Sequence, residues 1–121
     1  ARAMQGVDYV HHTAALVPLA KAGRRYWEVN VDGTRIALEA ARRAHVKMFC
    51  HMSSSAVFGC PDEMPITAAT PRHPIEIYGH AKKAGEDLVI EAMEQGMPAS
   101  IVRPRTIMGT GRLGIFEILF D

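Results

Sequence analysis

VKMFCHMSSS, residues 46–55, is the stretch from which the fold can be read. From Val46 to Ser53 it is a compact, largely apolar run of strand length. Ser54 and Ser55 then open a loop rich in Pro, Thr and Gly that lasts to about Pro74. A strand here delivers three serines to a loop at its carboxyl end.

Upstream, Trp27, Val31, Thr34, Leu38 and Ala41 recur at the spacing of one helix face, which predicts a long amphipathic helix from about Arg24 to Ala44. Before it, Val7 to Thr13 is β-rich and runs into Ala14-Ala15, after which Pro18 and Gly23 interrupt any regular pattern. Downstream, Ile77, Ala81, Ala84, Leu88 and Ala92 repeat with helical spacing, and Gly96 followed by Pro98 marks the stop of a helix from about Ile75 to Gln95. Ala99 to Arg103 is a third short strand, Pro104 to Gly114 a loop, and Ile115 to Phe120 an apolar helical segment.

The order β-α-β-α-β-α predicts an α/β fold in which three parallel strands are joined by right-handed crossovers, with helices covering both faces of the sheet. There is no internal repeat and no low-complexity segment. Three strands make a thin sheet whose faces and edge need covering, so the chain reads as part of a larger doubly wound fold.

The chain has 121 residues, 48% of them hydrophobic, which suits one small globular domain. A formal net charge of +1, with basic residues scattered apart from pairs such as Arg24-Arg25, Arg42-Arg43 and Lys82-Lys83, leaves no electrostatic footprint for nucleic acid or an anionic membrane. Cys50 and Cys60 show neither Cys-x-x-Cys nor Cys/His ligand spacing, so no metal site is expected and both are read as reduced thiols of a cytoplasmic protein. The apolar runs fall far short of the roughly 20 residues of a membrane span, and no export or insertion is expected.

The chemistry concentrates in Tyr78-Gly79-His80-Ala81-Lys82, where a spacing of four on a helix sets phenol and ammonium one turn apart on one face. A free tyrosine, with a pKa near ~10, is a poor base at neutral pH, and a nearby ammonium favours its phenolate. Tyr78 could then exchange a proton with a substrate hydroxyl. Such a pair also arises on the surface of any amphipathic helix, and serines are ordinary loop formers and caps. The two signals reinforce each other because open parallel sheets bind ligands at the carboxyl ends of their strands, where Ser53-Ser54-Ser55 emerge.

These residues resemble the extended short-chain dehydrogenases/reductases of the NAD-dependent epimerase/dehydratase kind. VDYVHHTAA (7–15) looks like the family's fourth strand, NVDGTRIALEAA (30–41) like the following helix and HMSSSAVFG (51–59) like the fifth strand with its catalytic serine or threonine. PITAATPRHPIEIYGHAKKAGE (65–86) resembles the loop and helix bearing the Tyr-x-x-x-Lys pair, and IVRPRTIMGTG (101–111) the sixth strand and its Arg-Pro loop. The resemblance implies a partial Rossmann-type domain over residues 1–121, strands four to six of the family fold, with the N-terminal strands and the C-terminal substrate region missing.

It implies that Ser54 polarises the substrate oxygen, Tyr78 is the acid/base, and Lys82 lowers the tyrosine pKa while holding the nicotinamide ribose. The serine register is open by one, so Ser53 or Ser55 remains an alternative to Ser54. Thr13, Ala14, Ala15 and Ser53 would lie along NAD or NADP, Asn30 would support the lysine, and Pro104 and Arg105 would sit beside the nicotinamide. The expected reaction is hydride transfer with a secondary alcohol or ketone of a small-molecule substrate, a nucleotide sugar, in a homo-oligomeric enzyme. The isolated 121 residues are expected to be inactive and to self-associate.

Three features depart from the pattern. Phe58 replaces a frequent tyrosine, Thr106 stands where an asparagine is common, and LVPLAKAGRRYWEV (16–29) is short and apolar. They leave room for a hydroxysteroid-dehydrogenase-like or flavonol-reductase-like oxidoreductase of the same family, or for a non-catalytic dinucleotide-binding protein. Gly109, Gly111 and Gly114 imitate a dinucleotide fingerprint, but the first comes well after the third strand and only seven residues follow the last. They are read as loop geometry, with the true glycine-rich turn expected upstream.

Overall fold

The computed structural model describes residues 2–18 and 22–107. Three strands, β1 (Tyr9–His12), β2 (Met48–Met52) and β3 (Ala99–Val102), form one sheet in the order β1-β2-β3 with both pairings parallel. Between β1 and β2 a helical body runs as α1 (Arg25–Trp27), a π-helical turn (Glu28–Asp32) and α2 (Gly33–Arg43); between β2 and β3 lies α3 (Ile77–Glu94). The expected alternation and parallel pairing are present, with every strand shorter than its β-rich run. The segment 115–120 and the glycines at 109, 111 and 114 lie outside the described residues.

Side chains alternate across a strand, so Val10, His12, Phe49, His51, Ala99 and Ile101, joined by the register, share one face. Phe49 is fully buried there with Leu38 and Ala41 of α2, Val46, Val89 and Ala92 of α3, and Met97. Both long helices therefore cover the same face. On the other, Tyr9, Met48 and Val102 are exposed. Helices on both faces were expected; a sheet that grows in one direction with crossovers of one hand places every connecting helix on one side. Coverage of the second face requires a reversal of winding, which these three strands do not contain.

Two helical stripes also differ from the periodic reading. Tyr26 is buried and Trp27 is exposed, the reverse of the expected stripe. The π-helical turn at Glu28–Asp32 explains it: the wider turn inserts one residue, so upstream positions are rotated by about one residue relative to Thr34, Leu38 and Ala41. On α3 the buried residues are Gly79, Ala81, Lys82, Gly85, Glu86, Val89 and Ala92, while Ile77 is exposed. Two charged side chains have entered the face that an apolar pattern would assign elsewhere.

Candidate active site

β2 ends at Met52, and the chain turns through Ser53 and Ser54 into a short 3-10 turn, Ser55–Phe58. Ser54 is extended and caps that turn, its Oγ accepting from the Ala56 amide at 3.2 Å. The Ser55 amide donates to the Pro104 carbonyl at 2.9 Å, tying the serine turn to the exit of β3. The start of α3 is seated directly on this turn. A Cβ at Gly79 would lie 2.7 Å from the Ala56 carbonyl oxygen and 2.9 Å from Pro74 Cβ, so only glycine permits the approach.

That seating brings the Tyr78 phenol to the Ser54 hydroxyl. Burial raises the Tyr78 pKa above its ordinary value of 10.0; the Ser54 hydrogen bond opposes the shift and Tyr26 adds to it. Tyr26 meets Tyr78 edge-on at 6.1 Å between ring centres, and its hydroxyl donates to the Pro18 carbonyl at 2.8 Å. Lys82, one turn along α3, is buried and donates from Nζ to the Met52 carbonyl at 2.6 Å. Burial pulls its pKa down to about 8, against the raising influence of Glu86. The expectation that Lys82 lowers the Tyr78 pKa does not hold in this structure: the ammonium is engaged by a strand carbonyl, and desolvation of the phenol dominates.

These side chains line a cleft of about 820 Å³ at the carboxyl ends of the strands. Thr13 and Ala15 bound it beyond β1, Met52, Ser53, Ser54, Ser55 and Ala56 beyond β2, Pro104, Arg105, Thr106 and Ile107 beyond β3, and Tyr78 and Lys82 on α3. The rim carries Val17, Pro18, Cys60, Pro61, Met64 and Ile66. Of the three serines, Ser54 is the one beside Tyr78. Ser53 is turned inward towards Glu86, and its buried Oγ has no hydrogen-bond partner among the described residues, though it lies near enough to help lower the Glu86 pKa.

Two expected site residues do not face the cleft. Ala14 is exposed and not part of its lining. Asn30 is 1% exposed, with Oδ1 accepting from the Leu16 amide at 2.8 Å and Nδ2 donating to the Leu16 carbonyl at 3.2 Å. Its amide is consumed in clamping the loop after β1 rather than in bonding Lys82, because a buried amide must satisfy both its ends.

Sequence reasoning missed two clusters. Glu86, fully buried, accepts from Arg103 at 2.8 and 2.9 Å and from Arg72 at 3.0 Å, and Arg103 lies over the Phe58 ring at 5.3 Å. The available signal was its position at i+4 from Lys82 and i+8 from Tyr78, the same helix face. His51 stacks on His12 at 5.5 Å, and His12 Nε2 meets Thr34 Oγ1 at 3.1 Å. Both ring nitrogens of His51 lack a partner among the described residues, and burial first, then Lys82 and His12, push its pKa down to about 3 against the raising influence of Glu86. Among the described residues no group of three or more metal-ligating side chains forms, and no helix is long and apolar enough to cross a membrane.

A family model for the NAD dependent epimerase/dehydratase family matches residues 1–116. The chain belongs to that family. An uncharacterized protein of Sinorhizobium fredii is 46% identical over 121 residues, covering 99% of this chain and 31% of its own. A probable UDP-arabinose 4-epimerase of Arabidopsis thaliana is 35% identical over 114 residues, covering 88% and 28%. The structure of UDP-glucuronic acid 4-epimerase from Bacillus cereus in complex with NAD superposes with a TM-score of 0.79 at 29% identity, covering 89% of this chain and 35% of that one. The chain thus spans about a third of the length of the relatives it matches, and its sheet is part of an open Rossmann-type fold.

Proposed function

We propose that this chain forms the proton-transfer side of an NAD(P)-dependent enzyme that oxidises or reduces a secondary alcohol or ketone on a nucleotide sugar. The observation that carries the reading is the convergence of Ser54, Tyr78 and Lys82 on one cleft at the carboxyl ends of parallel strands. The cleft suits one end of a dinucleotide. Thr13 and Ala15 are small enough for close approach, and Lys82 presents a fixed cation. When bound, NAD(P) supplies the acceptor and donor of hydride.

Tyr78 takes the proton of the substrate hydroxyl and returns it in the reverse direction. Ser54 hydrogen-bonds the same oxygen and steadies the charge that develops there. Lys82, fixed on the Met52 carbonyl, holds ribose hydroxyls. Pro104 and Arg105 flank the cofactor, and Asn30 acts one step back by holding the loop that starts at Thr13. Epimerisation or dehydration follows from the ketone so formed. The whole protein is proposed to be a cytoplasmic homo-oligomer, in keeping with the free Cys50 and Cys60.

One observation favours a second reading. Val17, Met64 and Ile107 are exposed apolar side chains on the rim of the cleft, which suits a hydroxysteroid-like or flavonol-like ketone better than a sugar. The full-length protein, assayed with UDP-sugars and with apolar ketones, separates the two. Tyr78→Phe should lower kcat by about 10²- to 10⁴-fold while NAD(P) binding persists; a Tyr78→Phe enzyme with wild-type turnover would falsify the assignment.

A further inference from the structure

We propose that Glu86 is the positioning residue of this site: one buried carboxylate holds the exit of β3 and the loop before α3 in register around Tyr78 and Lys82. The proposal rests on the reading of Ser54, Tyr78 and Lys82 given above and goes beyond it. Tyr78, Lys82 and Glu86 follow one another at intervals of four along α3, and Glu86 is fully buried. Its two oxygens take three charged hydrogen bonds from two different segments. Arg103, the residue after β3, binds in the two-pronged manner at 2.8 and 2.9 Å. Arg72, from the loop that leads into α3, adds one at 3.0 Å and reaches Asp87 at 2.8 Å with its other prong.

Each of those anchored segments carries part of the cleft. Arg103 immediately precedes Pro104 and Arg105, which line it, and the Pro104 carbonyl accepts from the Ser55 amide, next to Ser54. Arg103 also packs over Phe58 at the far end of the serine turn. The loop holding Arg72 runs into Pro74, whose Cβ abuts Gly79 beside Tyr78. A displaced Glu86 would therefore loosen both walls that set the Ser54–Tyr78 approach. The carboxylate acts on Lys82 as well. The groups facing that ammonium are His12 from β1, His51 from β2 and Glu86 from α3; Glu86 is the anion among them and supports the charged form against burial.

The test compares Glu86→Gln and Glu86→Asp with wild type in the full-length protein, reading folding, kcat, KM and the pH profile of kcat. Glu86→Gln should lower kcat by about 10- to 100-fold, in line with a misplacement of an ångström or less, with KM changed much less. Its alkaline limb, where Lys82 loses its proton, should move to lower pH, because the anion that supports the ammonium is gone. Glu86→Asp retains the charge but is too short to meet both arginines, so it should keep the wild-type alkaline limb with a reduced kcat. A folded Glu86→Gln enzyme with wild-type kcat and pH profile overturns the proposal, as does one that loses only stability. If Glu86→Gln does not fold, a wild-type kcat in Glu86→Asp overturns it. Tyr78→Phe, run alongside, separates the two claims: an active Tyr78→Phe enzyme removes the catalytic reading itself, whereas an inactive one beside an unaffected Glu86→Gln removes only the role of Glu86.

Discussion

Gly79→Ala adds one methyl group at the contact that seats α3 on the serine turn. The new Cβ would stand 2.7 Å from the Ala56 carbonyl oxygen and 2.9 Å from Pro74 Cβ, both well inside the 3.4 Å at which ordinary contact begins. The helix start and the turn must therefore part by about 0.5 to 0.7 Å, since neither a backbone carbonyl nor a proline ring can swing aside. In stability the change is modest: overpacking costs about 1–3 kcal/mol, and about 1 kcal/mol returns because alanine is the better helix former. Its effect on turnover is larger, because the displacement falls directly between Ser54 and Tyr78, and a misplacement near 1 Å costs up to about 10²-fold in rate. Steady-state kinetics and a thermal melt of the full-length protein should show kcat down by roughly 10- to 100-fold with a melting temperature only a few degrees lower. Gly96→Ala is the control. It sits at a φ of 86° with open space around its Cβ position, so it should cost stability and leave kcat alone. Wild-type kcat and KM in Gly79→Ala would refute the idea that this contact sets the Ser54–Tyr78 geometry.

Three further outcomes are expected. Asn30→Ala removes both bonds to the Leu16 backbone and leaves a buried amide and carbonyl unpaired, which should destabilise the protein by about 2–4 kcal/mol and weaken NAD(P) binding through the loop at Thr13; calorimetric titration and chemical denaturation read the two effects. Phe49→Ala empties the centre of the core and should cost about 3–5 kcal/mol of unfolding free energy, read by chemical denaturation, with the folded fraction's Ser54–Tyr78 chemistry retained. His51, whose folded pKa is depressed to about 3, remains neutral where the unfolded chain takes up a proton below 6.5, so its contribution to stability is intact above 6.5 and is lost as pH falls from there towards 3. Between pH 6.5 and 5 that loss is about 2 kcal/mol, and urea midpoints of His51→Phe should fall less over this interval than those of wild type; parallel curves would show that His51 is not the group being titrated.

Much of the fold was legible because periodicity reports which faces are buried. The runs around Val10, Phe49 and Ile101 read as strands, and Thr34, Leu38 and Ala41 as a helix face, and each lies where that reading puts it. The stripe failed at Trp27, because a π-helical turn changes the phase and no residue type announces one. It failed again along α3, where Lys82 and Glu86 occupy buried positions that hydrophobicity alone would deny them. Charges enter such a face only when partners meet them there, and the partners, Met52, Arg72 and Arg103, are distant in sequence. Ser53, Ser54 and Ser55 could not be told apart in sequence, since one residue of register reverses the side on which each hydroxyl emerges.

By itself the sequence determined the alternating elements, the parallel sheet and the Tyr78–Lys82 pair, because these depend on local spacing and on the burial of apolar faces. Tertiary structure alone decided that both helices share one face, that Asn30 clamps Leu16, and that Lys82 is held by Met52. It also gathered Glu86, Arg72 and Arg103 into one buried cluster. These are contacts between residues up to thirty positions apart, and their energies depend on desolvation and on partner geometry, which exist only once the chain has folded.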